Sequence, residues 1–108
     1  MSGYRSIDST LLFWAMKNDL TWSTEYQDAE VRTIFLNPDS RSRVQIWVDP
    51  PVLGVAVINV WQVPRGISRL ARRRRFICFT ALLQTNLDKA LELAQAWAST
   101  EPAAAPAD

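Results

Sequence analysis

The fold is decided by residues 43–63, RVQIWVDPPVLGVAVINVWQV, which hold two β-strand patterns on either side of a proline pair. In residues 43–49, the aliphatic side chains Val44, Ile46 and Val48 alternate with the mostly polar set Arg43, Gln45, Trp47 and Asp49, which predicts a strand with one buried face. Residues 54–63 are apolar on both sides of the pattern, which is typical of a central strand. Pro50 and Pro51 lack the amide hydrogen that a sheet ladder requires, so they end the first strand. We therefore expect two consecutive strands of an antiparallel meander.

Strand patterns also occur on both sides of this pair. Residues 31–36 predict a strand that ends at the turn-forming residues 37–40, and residues 76–83 form another apolar, strand-like run. Residues 20–28 are ambiguous and leave an additional edge strand open. The prediction is a four-stranded antiparallel meander sheet, or a five-stranded one if the ambiguous segment also pairs.

Helical periodicity marks the two ends of the domain. Ser9 or Asp8 is a candidate N-cap for a first helix that ends near Asn18. Thr85 begins a capping sequence for a second helix over residues 86–99. Because a sheet with one apolar face must bury that face, we expect both helices to pack on the same side of it.

The sequence predicts one α+β domain over residues 1–100. A chain of 108 residues is long enough for a single hydrophobic core. The Ala/Pro-rich residues 101–108 are expected to be a disordered tail. No apolar stretch is as long as a membrane helix, and no signal-peptide pattern is present, so we expect no membrane association and a cytoplasmic location.

The composition argues against an enzyme. The chain has no histidine, one cysteine (Cys78) and three glycines, so the commonest general base, a cysteine pair for zinc and a phosphate-binding loop are all missing. We expect no catalytic residues, no metal and no cofactor. A less favoured hypothesis is an enzyme that holds a divalent cation at Asp28 and Glu30, which a solvated strand end explains more simply.

Arginine is concentrated in the segment PRGISRLARRRR, residues 64–75. The rest of the chain has six cationic and 11 acidic residues, a net charge of −5. We expect the segment to be a loop between two strands that contacts an anionic partner. The candidate residues are Arg65, Arg69, Arg72, Arg73, Arg74 and Arg75. A solvated loop without a partner and a short amphipathic helix docked on the sheet are the alternatives.

Trp47 shares the polar side of its predicted strand with Arg43 and Gln45. If both helices cover the other side, Trp47 projects from an open sheet face, where an aromatic residue among polar groups is typical of a contact surface. We therefore expect a protein interface at Trp47, Arg43 and Gln45, with a homodimer as the economical arrangement.

These features favour a small non-enzymatic interaction protein. Its partner would be a macromolecule, above all another protein, bound as an inhibitor, immunity factor, adaptor or chaperone would bind it. The alternative is a nucleic-acid-binding regulator that uses residues 65–75 and whose affinity falls steeply with salt.

Overall fold

The computed structural model describes residues 3–36, 43–62 and 72–99. Its elements, in chain order, are α1 (Asp8–Lys17), β1 (Ser23–Tyr26), β2 (Ala29–Leu36), β3 (Val44–Val48), β4 (Val55–Gln62), β5 (Arg72–Phe79), a 3-10 helix (Thr80–Leu82) and α2 (Leu83–Ala98). The last predicted strand, residues 76–83, therefore ends at Phe79, and its residues 80–83 are helical. The strands form one antiparallel sheet in the order β1-β2-β3-β4-β5, and both helices pack on it. This confirms the α+β meander prediction, with the ambiguous segment supplying the fifth strand.

The structure leaves several predicted features undescribed. The turn at 37–40 and the tail at 101–108 lie outside the described residues. Within the described ranges, no helix has the length and apolar character needed to cross a membrane.

Strict alternation along β3 produces the centre of the core. Val44, Ile46 and Val48 are all buried, as the period-two pattern predicts, and they face the helical layer. Helix α2 closes this layer with the apolar side chains Leu83, Leu87, Ala90, Leu91 and Ala94. The helical layer therefore covers one sheet face, and the other face carries the remaining side chains of β2 to β5.

A two-residue hairpin connects β1 to β2. Tyr26 pairs with Ala29, and the two residues between them, Gln27 and Asp28, have φ angles of 52° and 66°. Positive φ at both central positions is the geometry that matches the twist of paired strands. Asp28 is therefore a turn residue rather than a member of a strand face.

The predicted helix caps are wrong at both helices. The N-cap of α1 is Ile7, with no side-chain cap hydrogen bond, and α2 begins at Leu83, which places Thr85 inside its first turn. Asp8 does not cap α1 because its carboxylate is engaged with Arg32 of β2. The guanidinium gives the Asp8 carboxylate two charge-assisted hydrogen bonds in a bidentate pair, whereas a cap would give it hydrogen bonds from backbone amides alone.

Arg32 is a buried cation under the helical layer, with only 7% of its surface exposed. Its Nε and Nη2 donate to the Asp8 carboxylate at 2.7 and 3.0 Å, and Nη2 also donates to Glu30 at 3.3 Å. The guanidinium lies 4.4 Å from the ring centroid of Tyr4. The hydrogen bond with Asp8 is the main cause that raises the pKa of Arg32, so the group stays charged and ties α1 to β2.

We expect Asp8→Ala to lower the free energy of unfolding by about 1–3 kcal/mol, because a buried guanidinium would lose its bidentate partner. Denaturant unfolding followed by tryptophan fluorescence measures the change. Glu92→Ala on the exposed side of α2 is the control, with an expected change within about 0.5 kcal/mol. Equal effects of the two substitutions would show that the Asp8–Arg32 pair contributes nothing.

Candidate interaction surface on the open sheet face

The sheet register aligns two rows of side chains on the face opposite the helices, here called the open face. One row consists of Thr33, Trp47, Asn59 and Arg75. The other row consists of Phe35, Gln45, Trp61 and Arg73. Side chains at alternate strand positions share a face, so each row crosses β2, β3, β4 and β5 on one side of the sheet.

A tryptophan pair lies at the centre of the open face. The ring centroids of Trp47 and Trp61 are 6.1 Å apart with an interplanar angle of 75°, an edge-to-face contact. This geometry places the positive ring edge of one indole on the negative face of the other. Both side chains are half-buried, so the pair is held in place while part of each ring remains open to a partner.

Two buried polar side chains, Thr33 and Asn59, flank Trp47 in its own row. Thr33 and Asn59 are almost fully buried although they lie on the face opposite α1 and α2. Gln45 Nε2 donates to Thr33 Oγ1 at 2.9 Å, and Thr33 Oγ1 donates to the Ile46 carbonyl at 3.2 Å. Asn59 Nδ2 donates to Asp49 Oδ2 at 3.2 Å. Because these groups are satisfied, they fix the surface around Trp47 in one arrangement.

Two arginines lie over aromatic rings at the margin of this face. The guanidinium carbon of Arg73 is 5.9 Å from the Trp61 ring centroid, and that of Arg43 is 6.0 Å from the Phe35 centroid. Both distances fall within the range of a cation–π contact. The structure thus places Arg43, Gln45 and Trp47 around one surface, and it adds Trp61 and Arg73, which the sequence pattern alone does not place there.

The arginine run is not a loop over its last four residues, which corrects the sequence prediction. Arg72–Phe79 is strand β5, and it pairs with β4 along its whole length. Alternation sends Arg73 and Arg75 to the open face, and Arg72 and Arg74 to the helical side. Arg65 and Arg69 lie outside the described residues. The four described arginines, Arg72 to Arg75, are therefore divided between two faces of the sheet.

Arg72 contacts the protein interior and helps to hold β5 against α2. Its Nε donates to Gln62 Oε1 at 2.8 Å, and its guanidinium lies 5.3 Å from the Trp97 ring centroid. Gln62 is fully buried, and its Nε2 donates to the Trp97 carbonyl at 2.8 Å. This chain of contacts joins the start of β5 to the end of α2, where a cation also complements the negative end of the helix dipole.

A concavity of about 710 Å³ extends over the open face toward β1. Trp47 and Trp61 line it together with Tyr26, and its charged lining includes Glu30 and Asp49. The volume is in the range of ligand sites in proteins. The lining has both signs of charge, since Arg43 also contributes, so the surface suits a partner with mixed charges rather than a uniformly anionic one.

Asp28 and Glu30, the candidate metal ligands, do not point to a common site. Asp28 lies in the hairpin turn and Glu30 pairs with Arg32 at 3.3 Å. Among the described residues, no group of three or more His, Cys, Asp and Glu side chains is placed to hold a metal ion. Burial raises the pKa of the Cys78 thiol, which disfavours the nucleophilic thiolate.

Comparisons with known proteins give no relative. The chain matches no protein-family model, and no curated protein and no solved structure matches it.

We expect Arg72→Ala to lower the free energy of unfolding by about 1–3 kcal/mol, because it leaves the buried side-chain oxygen Oε1 of Gln62 without its hydrogen-bond donor. Arg73→Ala, which removes an exposed cation over Trp61, is expected to cost about 0.5–1 kcal/mol. Urea unfolding of both variants gives the comparison. A larger loss for Arg73 than for Arg72 would contradict the structural position of Arg72.

Proposed function

We propose that this protein is a small non-enzymatic interaction protein that binds a protein partner through the open face, in the manner of an inhibitor, immunity factor, adaptor or chaperone. The observation that carries the proposal is the half-buried Trp47–Trp61 pair, which neither α1 nor α2 covers and which satisfied polar groups hold in place. Tryptophan and arginine are the residues that most often dominate binding energy at protein interfaces.

The surroundings of the pair favour a protein over other partners. Phe35 adds exposed apolar surface to the tryptophans, while Arg43 and Arg73 lie at the margin. Asp49 and Glu30 line the same concavity and introduce negative charge there. An aromatic centre with a rim of both charges is the composition of a protein interface, and the acidic groups repel phosphate.

Helix α1 offers a second exposed apolar surface, at Leu12, Phe13 and Met16. It lies on the helical layer, away from the open face. These side chains are exposed and apolar. A substitution among them is therefore a suitable control for nonspecific hydrophobic binding.

Affinity capture from the native host tests the proposal. We expect the wild-type protein to retain a specific protein, and Trp47→Ala to reduce its recovery at least about tenfold through loss of a central contact. The matched control is Phe13→Ala, which removes an exposed aromatic from α1 and should leave recovery unchanged. Quantitative mass spectrometry of the eluates measures both. Equal recovery with Trp47→Ala and the wild type would refute binding through the open face.

A nucleic-acid-binding regulator is the second candidate. The observation in its favour is that Arg73 and Arg75 lie on the same face as the tryptophans, which combines cations with rings on which bases can stack. The division of the arginine run between two faces weakens it, since Arg72 is directed to Gln62 and Trp97.

If nucleic acid is the partner, a labelled single-stranded oligonucleotide should bind at low salt and dissociate as salt rises, because binding releases counterions. The double variant Arg73→Ser/Arg75→Ser should then abolish the anisotropy change. Arg5→Ser/Lys17→Ser removes the same charge from other exposed positions and is the control. Absence of binding at low salt would eliminate this candidate.

A further inference from the structure

The two edges of the sheet differ in how they are protected. Strand β1 has four residues, and a register irregularity interrupts its pairing with β2 between Ser23 and Glu25. Strand β5 has eight residues, all paired with β4 in one unbroken register. Short and bulged edges resist the addition of another strand, whereas a long regular edge is a template for it. Within the described part of the chain, β4 is the only strand beside β5.

The hydrogen bonds around β4 show which amide and carbonyl groups of β5 point outward, that is, away from β4 and toward the free edge of the described sheet. Asp49 N–H donates to the Val57 carbonyl, so the polar groups of Val57 point to β3 and those of Ile58 point to β5. At the other end, Thr80 N–H donates to the Gly54 carbonyl across the β4–β5 pair. Both hydrogen bonds indicate that the even-numbered residues of β5 direct their backbone groups to β4 and the odd-numbered residues direct theirs away from it. The residues with outward amide and carbonyl groups are Arg73, Arg75, Ile77 and Phe79.

These four residues also place their side chains on the open face, and the strand changes character halfway along it. Its first half carries Arg73 and Arg75, and its second half carries Ile77 and Phe79, which are 65% and 66% exposed. A strand with a cationic half and an apolar half complements itself when a second copy runs antiparallel to it.

We propose that β5 pairs antiparallel with β5 of a second copy, around a two-fold axis at Phe76, and joins the two sheets into one. This inference goes beyond the proposed function, since it concerns the edge of the sheet and a second copy of this chain. It does not depend on what binds the open face.

The register is determined by three requirements. Residues that face each other across a continuous sheet must share a face, so the strands can shift only in steps of two residues. A dyad at Phe76 gives every outward amide and carbonyl from Arg73 to Phe79 a partner. It sets Arg75 opposite Ile77 and Arg73 opposite Phe79, so that each guanidinium meets an apolar or aromatic side chain. A dyad at Arg75 instead would oppose two arginines and leave Phe79 beyond the pairing.

The first test measures mass by light scattering over a dilution series. The wild-type protein should form a dimer. Ile77→Lys, which faces Arg75 of the second copy, should weaken the dimer at least about tenfold, because like charges then oppose each other. Ile77→Glu is the matched control: it is as polar at the same exposed position, yet it faces a cation and should keep the dimer. Both variants should retain the far-UV circular dichroism spectrum of the wild type.

The second test fixes the register by oxidation of single cysteines in a Cys78→Ala background. Phe76→Cys places two thiols opposite each other at the dyad, in a closely spaced pair that suits a disulfide. Arg74→Cys is the control, because its thiols would be separated by roughly 13 Å along the strands. We expect a covalent dimer with Phe76→Cys and none with Arg74→Cys.

Three results would overturn the inference. These are a wild-type monomer at the highest soluble concentration, equal effects of Ile77→Lys and Ile77→Glu, and cross-linking at position 74 without cross-linking at 76. A monomer would mean that the arginines shield the edge against pairing. Trp47→Ala should leave the dimer unchanged, so the outcome is separate from that of the proposed function.

Discussion

The pleat of the sheet assigns nearly every residue of interest to one of two faces, and the rest of the structure depends on that assignment. Apolar positions of β3 form the core beneath α2, so the alternate positions must face away from it. The same rule, applied across a register that pairs Gln45 with Trp61 and Trp61 with Arg73, builds a continuous surface from three strands. A shift of one residue in any strand would move a tryptophan or an arginine to the other side.

The alternation of β3 could be predicted from the sequence because its cause is local. Val44, Ile46 and Val48 stand at every second position, which is typical of a half-buried strand, and this spacing places Trp47 on the uncovered side. The pattern of β4 is less informative, since it is apolar on both faces and does not reveal which face carries Trp61. Only the cross-strand register, which brings Gln45 and Trp61 together, assigns Trp61 to the open face. Register depends on residues distant in sequence.

The start of β5 shows why the sequence predicts a loop at residues 72–75 where the structure has a strand. Four consecutive arginines do not have the composition of a strand, and their charge favours solvent. Two tertiary contacts outweigh that preference. Strand β4 supplies the ladder, and Arg72 gains a buried hydrogen-bond acceptor in Gln62 together with the ring of Trp97 at the end of α2. The loop-like composition of the run is a property of consecutive residues, whereas these contacts join β5 to β4 and α2. The sequence pattern therefore could not predict them.

Arg73 belongs both to the open face, through its side chain, and to the edge of the sheet, through its backbone. On the open face, Arg73 lies over Trp61 and contributes charge to the margin of an aromatic surface. At the edge, its backbone amide and carbonyl point outward beside those of Ile77. Pairing at the edge uses the backbone of Arg73 and leaves its side chain on the open face. A second copy at β5 would therefore extend the open face across the dyad, and it would present two tryptophan pairs to one partner.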